Sequence, residues 1–395
     1  MRPLTNPIRR YAWGSRTALA SLQRRPAPTP EPEAELWMGA HPTAPSLLSD
    51  EDGSVPLTEA IDADPSAALG EAVADQFGGR LPYLFKILAA AQPLSLQAHP
   101  DSEQARVGFA AEEAAGLART ASVRNYADPY HKPELLVAIE EFHALCGFRG
   151  PDATAALLGS FGVPALKPVI AALEAGPVST RLRSAVETLM RWPVDDRMGL
   201  VAAVAEAGRS FSSRGESYAL AADLGQRYPG DVGVVVALLL NQVRLRPDEA
   251  VFMPAGNLHA YLAGVGVEVM AASDNVIRGG LTPKHVDVSE LLRVLRYEVM
   301  SDPVLRPMPV SPGVVTWAAP VREFSLVKAV ADAASGPVSV PGAGPRILVC
   351  VQGAARLSVG TQVRRVTSGE AVFVAATEPS VEVSGDAVIF QVAPG

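Results

Sequence analysis

Residues 254–261 read Pro-Ala-Gly-Asn-Leu-His-Ala-Tyr, a Pro/Gly turn that leads straight into a strand opening on His259. A turn of this composition defines where the next strand begins. The imidazole is therefore delivered to one chosen face. The stretch before it, 243–253 (VRLRPDEAVFM), alternates apolar and polar residues as a half-buried strand does. Strand, tight turn and a second strand opening on His259 point to β architecture, in which His259 is either a metal ligand or a hydrogen-bonded structural histidine.

Two more segments place donors at strand spacing. Residues 81–99 (LPYLFKILAAAQPLSLQAH) end in an alternation in which Leu94 and Leu96 oppose Ser95, Gln97 and His99. Two apart on a strand, Gln97 and His99 leave the same face and can grip one ion. Lys132 and Glu134 repeat the spacing in HKPEL, where Pro133 favours extended backbone for the residue before it. With His259 the set is two imidazoles, one carboxylate and one neutral amide. Nitrogen and oxygen donors without thiolate suit Zn, Fe, Mn, Co or Ni, with zinc the default for a non-redox enzyme. A divalent ion facing a single carboxylate keeps a net positive charge and can polarise a carbonyl or hydroxyl oxygen. Downstream, 273–287 (SDNVIRGGLTPKHVD) sets Arg278 beside Gly279 and Gly280 with Lys284 six residues on, cations suited to a phosphate or a developing oxyanion.

Composition narrows the classes. The chain has 395 residues, 48% hydrophobic and 19% charged, enough for a large core and more than one compact unit. Its net charge of −8 offers no basic field for nucleic acid or an anionic membrane. The longest apolar run, Val232 to Leu240, is far short of the roughly 20 residues that span a bilayer and reads as a buried helix. The N-terminus is basic without an apolar stretch behind it, so no secretory signal is expected. Cys146 and Cys350 form no CxxC pair, which fits a reducing compartment, and the cytoplasm is the expected location. Of 34 basic residues only five are lysines, and three of them (Lys86, Lys132 and Lys284) fall in the segments above or in PYLFKIL.

The order of segments suggests the organisation. Residues 23–33 are Pro-rich and exposed, 101–119 are helical, and 126–139 (YADPYHKPELLVAI) return to strand character. Residues 151–240 carry helical periodicity broken by Pro and Gly; 310–395 read as short strands between Gly, Pro and Ser. A weak repeat links the β parts: DEAVFM (248–253) matches GEAVFV (369–374). Carried forward, the same offset sets Ala375 against Pro254 and Ser380 against His259, so the second β unit lacks that ligand. The expected fold is mainly β with an α insertion. Residues 1–150 with 241–305 form the metal-bearing domain, 151–240 a helical insertion, and 306–395 a C-terminal β domain without metal.

The segments YAWGS, ELWMG, PYLFKIL, PLSLQAHPD, YxDxxHKPEL, PAGNLHAYL and DNVIRGGLTPKHVDV, in order from Pro7 to about Leu295, resemble those of type I mannose-6-phosphate isomerases (phosphomannose isomerases) of the cupin superfamily. The resemblance implies two cupin-like β-barrel (jelly-roll) domains plus a helical domain, and one zinc ion per chain. It implies interconversion of mannose 6-phosphate and fructose 6-phosphate. Zinc ligands of the family fall on Gln97, His99, Glu134 and His259, and its active-site arginine on Arg278. Lys86, Ser95, Lys132, Glu268 and Lys284 fall on polar pocket positions, and Trp13 and Tyr261 on pocket walls. An aldose–ketose isomerisation through an enediol needs a base, an oxyanion stabiliser and a phosphate anchor. Glu268, a free carboxylate in the motif region, is the expected base, with Lys132 or Lys284 moving protons between oxygens. Arg278 is expected to stabilise the enediolate, and Lys86 and Ser95 to hold the phosphate. His41, His143 and His285 are placed away from the metal, and His131 opposite to Lys132 and Glu134. The expected partner is a small sugar phosphate, with no nucleic acid or membrane, and the expected state is a monomer. Two other readings stay open. His99, Glu134 and His259 are also the two-histidine, one-carboxylate set of an iron cupin oxygenase, against which Gln97, Arg278 and Lys284 argue. A sugar-phosphate-binding bicupin without catalysis is the other.

Overall fold

The computed structural model describes residues 1–50 and 53–395 and is mainly β: two sheets of eleven strands each, with helices between and beside them. The strand His259–Ala271 organises the first sheet. Gly264, at φ +128°, breaks it into two halves, and a Cβ there would sit 2.7 Å from the Glu141 carbonyl oxygen. Only glycine fits such an approach at that φ. Ahead of the break the strand pairs with Phe142–Phe148 and meets Leu96–Ala98 at His259 opposite Gln97. Beyond it the same strand pairs with Tyr83–Ala90 and Glu134–Ala138. Each half has its own neighbours, so the sheet turns a corner at Gly264. The sheet's strand order is open and branched at this corner rather than a simple closed ring.

Period-two alternation then sorts the side chains. Tyr83, Phe85, Ile87 and Ala89 join Leu135, Val137, Val267 and Val269 in one core, shared with Leu326, Ile347, Phe373 and Phe390 of the other sheet. Lys86, Glu134 and Glu268 occupy the intervening positions and so face the other way, into a cleft. Both faces are covered, which is why Tyr83–Ala90 is buried throughout and reads as an almost unbroken apolar run.

The second sheet runs Met308–Ser311, Val314–Thr316, Ser325–Ala331, Val381–Ala393, Arg346–Val359, Ala371–Val374, and then three N-terminal strands, Arg2–Thr5, Leu47–Asp50 and Gly53–Pro56. Arg2 lies opposite Phe373 and Leu4 opposite Ala371, so the first residues of the chain complete the C-terminal sheet. Two strands of this region, Arg346–Val359 and Val381–Ala393, are long where short ones were expected. Gly353 (φ +79°) and Gly385 (φ +110°), which read as turn punctuation, lie inside strands of 14 and 13 residues. Similarly, strand structure in 126–139 begins only at Glu134; the preceding loop is held by side-chain hydrogen bonds described below.

The helices from Pro151–Ser160 to Gly233–Ala237 are the contents of a single hairpin, because Phe142–Phe148 and Leu240–Leu245, which flank them, pair with each other. Their apolar faces share one core with Leu96, Leu145, Leu258 and Ile277 of the sheet. Val232–Leu240 is buried as expected, helical over Gly233–Ala237 and entering a strand at Leu240.

Candidate metal centre and pocket

His99, Glu134 and His259 meet on the inner face, each no more than 2% exposed. The Nε2 atoms of His99 and His259 each lie 3.3 Å from Glu134 Oε2. Each ring is aimed by its other nitrogen: His99 Nδ1 donates to the Asn275 carbonyl at 2.7 Å and His259 Nδ1 to the Asn257 carbonyl at 3.1 Å. A carbonyl only accepts, so the proton is on Nδ1 and the lone pair of Nε2 points to the common centre. Burial brings the His99 pKa down to about 4, keeping the ring neutral. Burial alone would raise the Glu134 carboxyl, but neighbouring charge, Lys132 Nζ foremost, holds it well below the usual carboxylate range.

These three converging atoms, His99 Nε2, Glu134 Oε2 and His259 Nε2, are buried without a hydrogen-bond partner. Leaving a buried polar atom unsatisfied costs on the order of 1–3 kcal/mol. A divalent cation bound by all three offsets that cost at once, and two neutral imidazoles with one carboxylate are its usual donors. The residues therefore fit the metal. Gln97 lies opposite His259 in one strand pair and opposite Arg278 in another, so its side chain shares a face with both.

Around this centre opens a cavity of about 540 Å³ lined by Trp13, Trp37, Lys86, Ser95, Gln97, Lys132, Glu134, Tyr261, Glu268, Arg278 and Lys284, among others. Every residue expected at the site except the two histidines borders it directly, and those reach Glu134, which does, at 3.3 Å. Glu268 is not the free carboxylate the sequence suggested. It is 2% exposed, its Oε1 accepts from the Tyr261 hydroxyl at 2.7 Å, and its Oε2 is 3.1 Å from Lys86 Nζ. Burial raises its pKa. Lys86 is also 3.3 Å from Glu35, which in turn accepts from Trp37 Nε1 at 2.8 Å. Burial works against the Lys86 ammonium, yet Glu268 and Glu35 outweigh it and keep its pKa above that of ordinary lysine. Lys132 Nζ lies 3.2 Å from Glu134 Oε1.

Arg278 and Lys284 differ from these cations. Among the described residues neither has a carboxylate partner. Burial lowers the pKa of both, and the nearness of Arg278 lowers that of Lys284 further.

A family model described as phosphomannose isomerase type I, catalytic domain, matches residues 1–151. Mannose-6-phosphate isomerase of Escherichia coli (strain K12) is 40% identical over 387 residues, 98% of this chain and 97% of that protein. The chain belongs to the type I phosphomannose isomerases. The Homo sapiens mannose-6-phosphate isomerase is 32% identical over 82% of this chain and 81% of its own length. Among solved structures, a zinc-bound mannose 6-phosphate isomerase superposes with a TM-score of 0.92 at 37% identity, covering 100% of this chain and 99% of the other. A point mutant of phosphomannose isomerase from Salmonella typhimurium gives 0.93 at 38% identity with the same coverage.

Of the other four histidines, three are engaged elsewhere: His41 with Asp274 at 3.0 Å, His131 with Glu323 at 2.7 Å, His143 with Glu141 at 3.0 Å. Three residues that matter were not singled out from sequence. Asn275, fully buried, accepts from Ala127 N and donates to the Asp128 and Tyr130 carbonyls, pinning the loop before Glu134 while its own carbonyl orients His99. Asn257 does the same for His259. Glu35 shares Lys86 with Glu268. All three lie within the motif segments named above, and a polar residue at an inward position of a buried strand was the available signal for Glu35.

Proposed function

We infer that the protein is a zinc-dependent aldose–ketose isomerase interconverting mannose 6-phosphate and fructose 6-phosphate. The observation that carries this is the convergence of three orphaned donor atoms inside a cleft lined with cations, in a chain that matches mannose-6-phosphate isomerases over nearly its whole length. His99, Glu134, His259 and Gln97 hold the zinc, one per chain. Bound there, zinc supplies a Lewis acid toward the sugar's C1 and C2 oxygens. Glu268 takes the proton at one carbon and returns it at the other; its raised pKa strengthens it as a base. Lys86, lying against it, keeps that carboxylate ionised. Lys132 moves a proton between O1 and O2, and Arg278 faces the enediolate charge. Lys86 was expected to anchor the phosphate, but its charge is already matched by two carboxylates. The unpartnered Lys284, with Ser95 and the flank of Arg278, suits a dianion better. Trp13 and Tyr261 wall the sugar.

The working unit in this reading is a monomer. Two buried free cysteines support a reducing cytoplasm, and among the described residues no helix is long and apolar enough to cross a membrane. The proposed domain division is 1–150 with 241–305, 151–240 and 306–395; the pairing of Phe142–Phe148 with Leu240–Leu245 supports the helical part, and the strands of residues 2–5, 47–50 and 53–56 are lent to the last.

A coupled assay with mannose 6-phosphate tests the reading. Interconversion is expected with one zinc per chain, lost on chelation and restored by zinc. Oxygen-dependent turnover with iron supports the oxygenase instead, and binding without interconversion supports a non-catalytic bicupin.

A further inference from the structure

The helical insertion reaches the pocket at one corner, residues 228–233. The Tyr228 hydroxyl donates to the Pro93 carbonyl at 3.0 Å, two residues before Ser95. Asp231 then holds two backbone amides with its two carboxylate oxygens: Gly233 N at 2.7 Å on Oδ1, within the insertion, and Thr282 N at 3.3 Å on Oδ2, in the loop between Arg278 and Lys284. The two segments touch glycine to glycine. A Cβ on Gly280, at φ +127°, would lie 2.7 Å from the Gly233 Cα, and one on Gly233 would lie 2.9 Å from the Gly280 Cα. Between them Leu281 is kept at φ +56°, a left-handed conformation that a leucine holds only when its surroundings impose it. Past it, Lys284 N donates to Thr282 Oγ1 at 3.1 Å, so the lysine's backbone hangs on the residue that Asp231 fixes.

Arg278 is held by its strand pairing with Gln97, but Lys284 lies beyond the strand, and two unpaired, mutually repelling cations do not stay converged by themselves; an anchor outside the loop must hold the second near the first. We propose that Asp231 of the helical insertion is a positioning residue for the phosphate end of the substrate, clamping the Arg278–Lys284 loop through Thr282 N and the Gly233–Gly280 contact. It touches neither substrate nor metal. The clamp rests on the reading that Lys284, beside Arg278, receives the phosphate. The insertion thereby acts in the reaction as the fixed wall against which the anion site is built.

Kinetics with mannose 6-phosphate and competitive inhibition by inorganic phosphate test it on the zinc enzyme. Asp231→Ala is expected to raise KM by about tenfold or more and the phosphate inhibition constant by a similar factor, with kcat changed by less than about threefold and zinc content intact. Asp231→Asn keeps the shape and one acceptor oxygen, and is expected to show a smaller rise in both constants; it serves if the alanine variant loses its fold. Lys284→Ala in the same assay separates the two readings. If it weakens phosphate inhibition while both Asp231 variants bind phosphate like wild type, the clamp is wrong. If it leaves phosphate inhibition unchanged, the phosphate assignment itself fails.

Discussion

In the metal-bearing sheet the strand Ala250–Met253 leads through a turn into His259–Ala271; in the C-terminal sheet Ala371–Val374 leads through a turn into Val381–Ala393. The second member of each pair has 13 residues, and each carries a positive-φ glycine at the matching position, Gly264 (φ +128°) and Gly385 (φ +110°). The inner positions then part company. Met253 lies opposite Glu134, whereas its counterpart Val374 lies opposite Arg346. Arg346 is completely buried and donates to the carbonyls of Glu378 at 2.6 Å and Pro379 at 2.8 Å, in the turn that matches Pro254–Leu258. Where one sheet presents a carboxylate that needs a cation, the other supplies its own cation from the backbone out. Glu268 faces Lys86, while the matching Ile389 faces Ala329. The hairpin that encloses the helical insertion in one sheet closes in the other with Gly360 and Thr361 alone. One framework thus serves as an ion-dependent site and as a self-satisfied wall, and exchanging a few inward residues decides which.

The sharpest way to break this contrast is to remove the carboxylate. Glu134→Ala is expected to lose stoichiometric zinc, measured by elemental analysis of dialysed protein, and to cut kcat by about a thousandfold or more, since Lewis-acid assistance is worth several kcal/mol. A variant that keeps its zinc and turnover would detach Glu134 from the metal. Next in size is Arg346→Met, which leaves buried carbonyls of the 375–379 turn unpaired. It is expected to lower stability by about 2–4 kcal/mol, read as a fall in the thermal midpoint, with zinc content and kcat at 25 °C unchanged. Zinc loss in that variant would mean that the two sheets do not divide the work as their inner residues indicate.

Some of this was legible from sequence because it is local. Gln97 with His99, and Lys132 with Glu134, declare themselves by a spacing of two, and the repeated Glu-Ala-Val-Phe gave away the duplicated unit. The helical span of 151–240 followed from its periodicity. What stayed hidden depends on distant partners. Nothing near Glu35 shows that its ammonium comes from Lys86, and Glu268 looked free because Lys86 reaches it from the neighbouring strand and Tyr261 from the far side of Gly264 on its own strand. The pairing of Arg2–Thr5 with Ala371–Val374 joins opposite ends of the chain, which no pattern within either segment reveals. Gly353 and Gly385 misled because a glycine that lets a strand turn a corner has the same composition signal as one that ends it.

The smallest effect concerns the charged row that only the metal-bearing sheet possesses. Burial raises the Glu268 pKa, and the charge of Lys86 and the Tyr261 hydrogen bond oppose that rise by favouring the ionised form. Tyr261→Phe removes one opposing contribution without changing the shape of the pocket, so the carboxyl becomes harder to ionise. A base works only when deprotonated; a higher pKa therefore moves the acid limb of the kcat/KM profile to higher pH and leaves the plateau above it in place. A displacement of about half to one pH unit is expected from one hydrogen bond to a charged acceptor. An acid limb that does not move when Tyr261 loses its hydroxyl identifies the titrating base as a group other than Glu268. The buried row would then be structural, a polar equivalent of Ile389 and Ala329 in the other sheet.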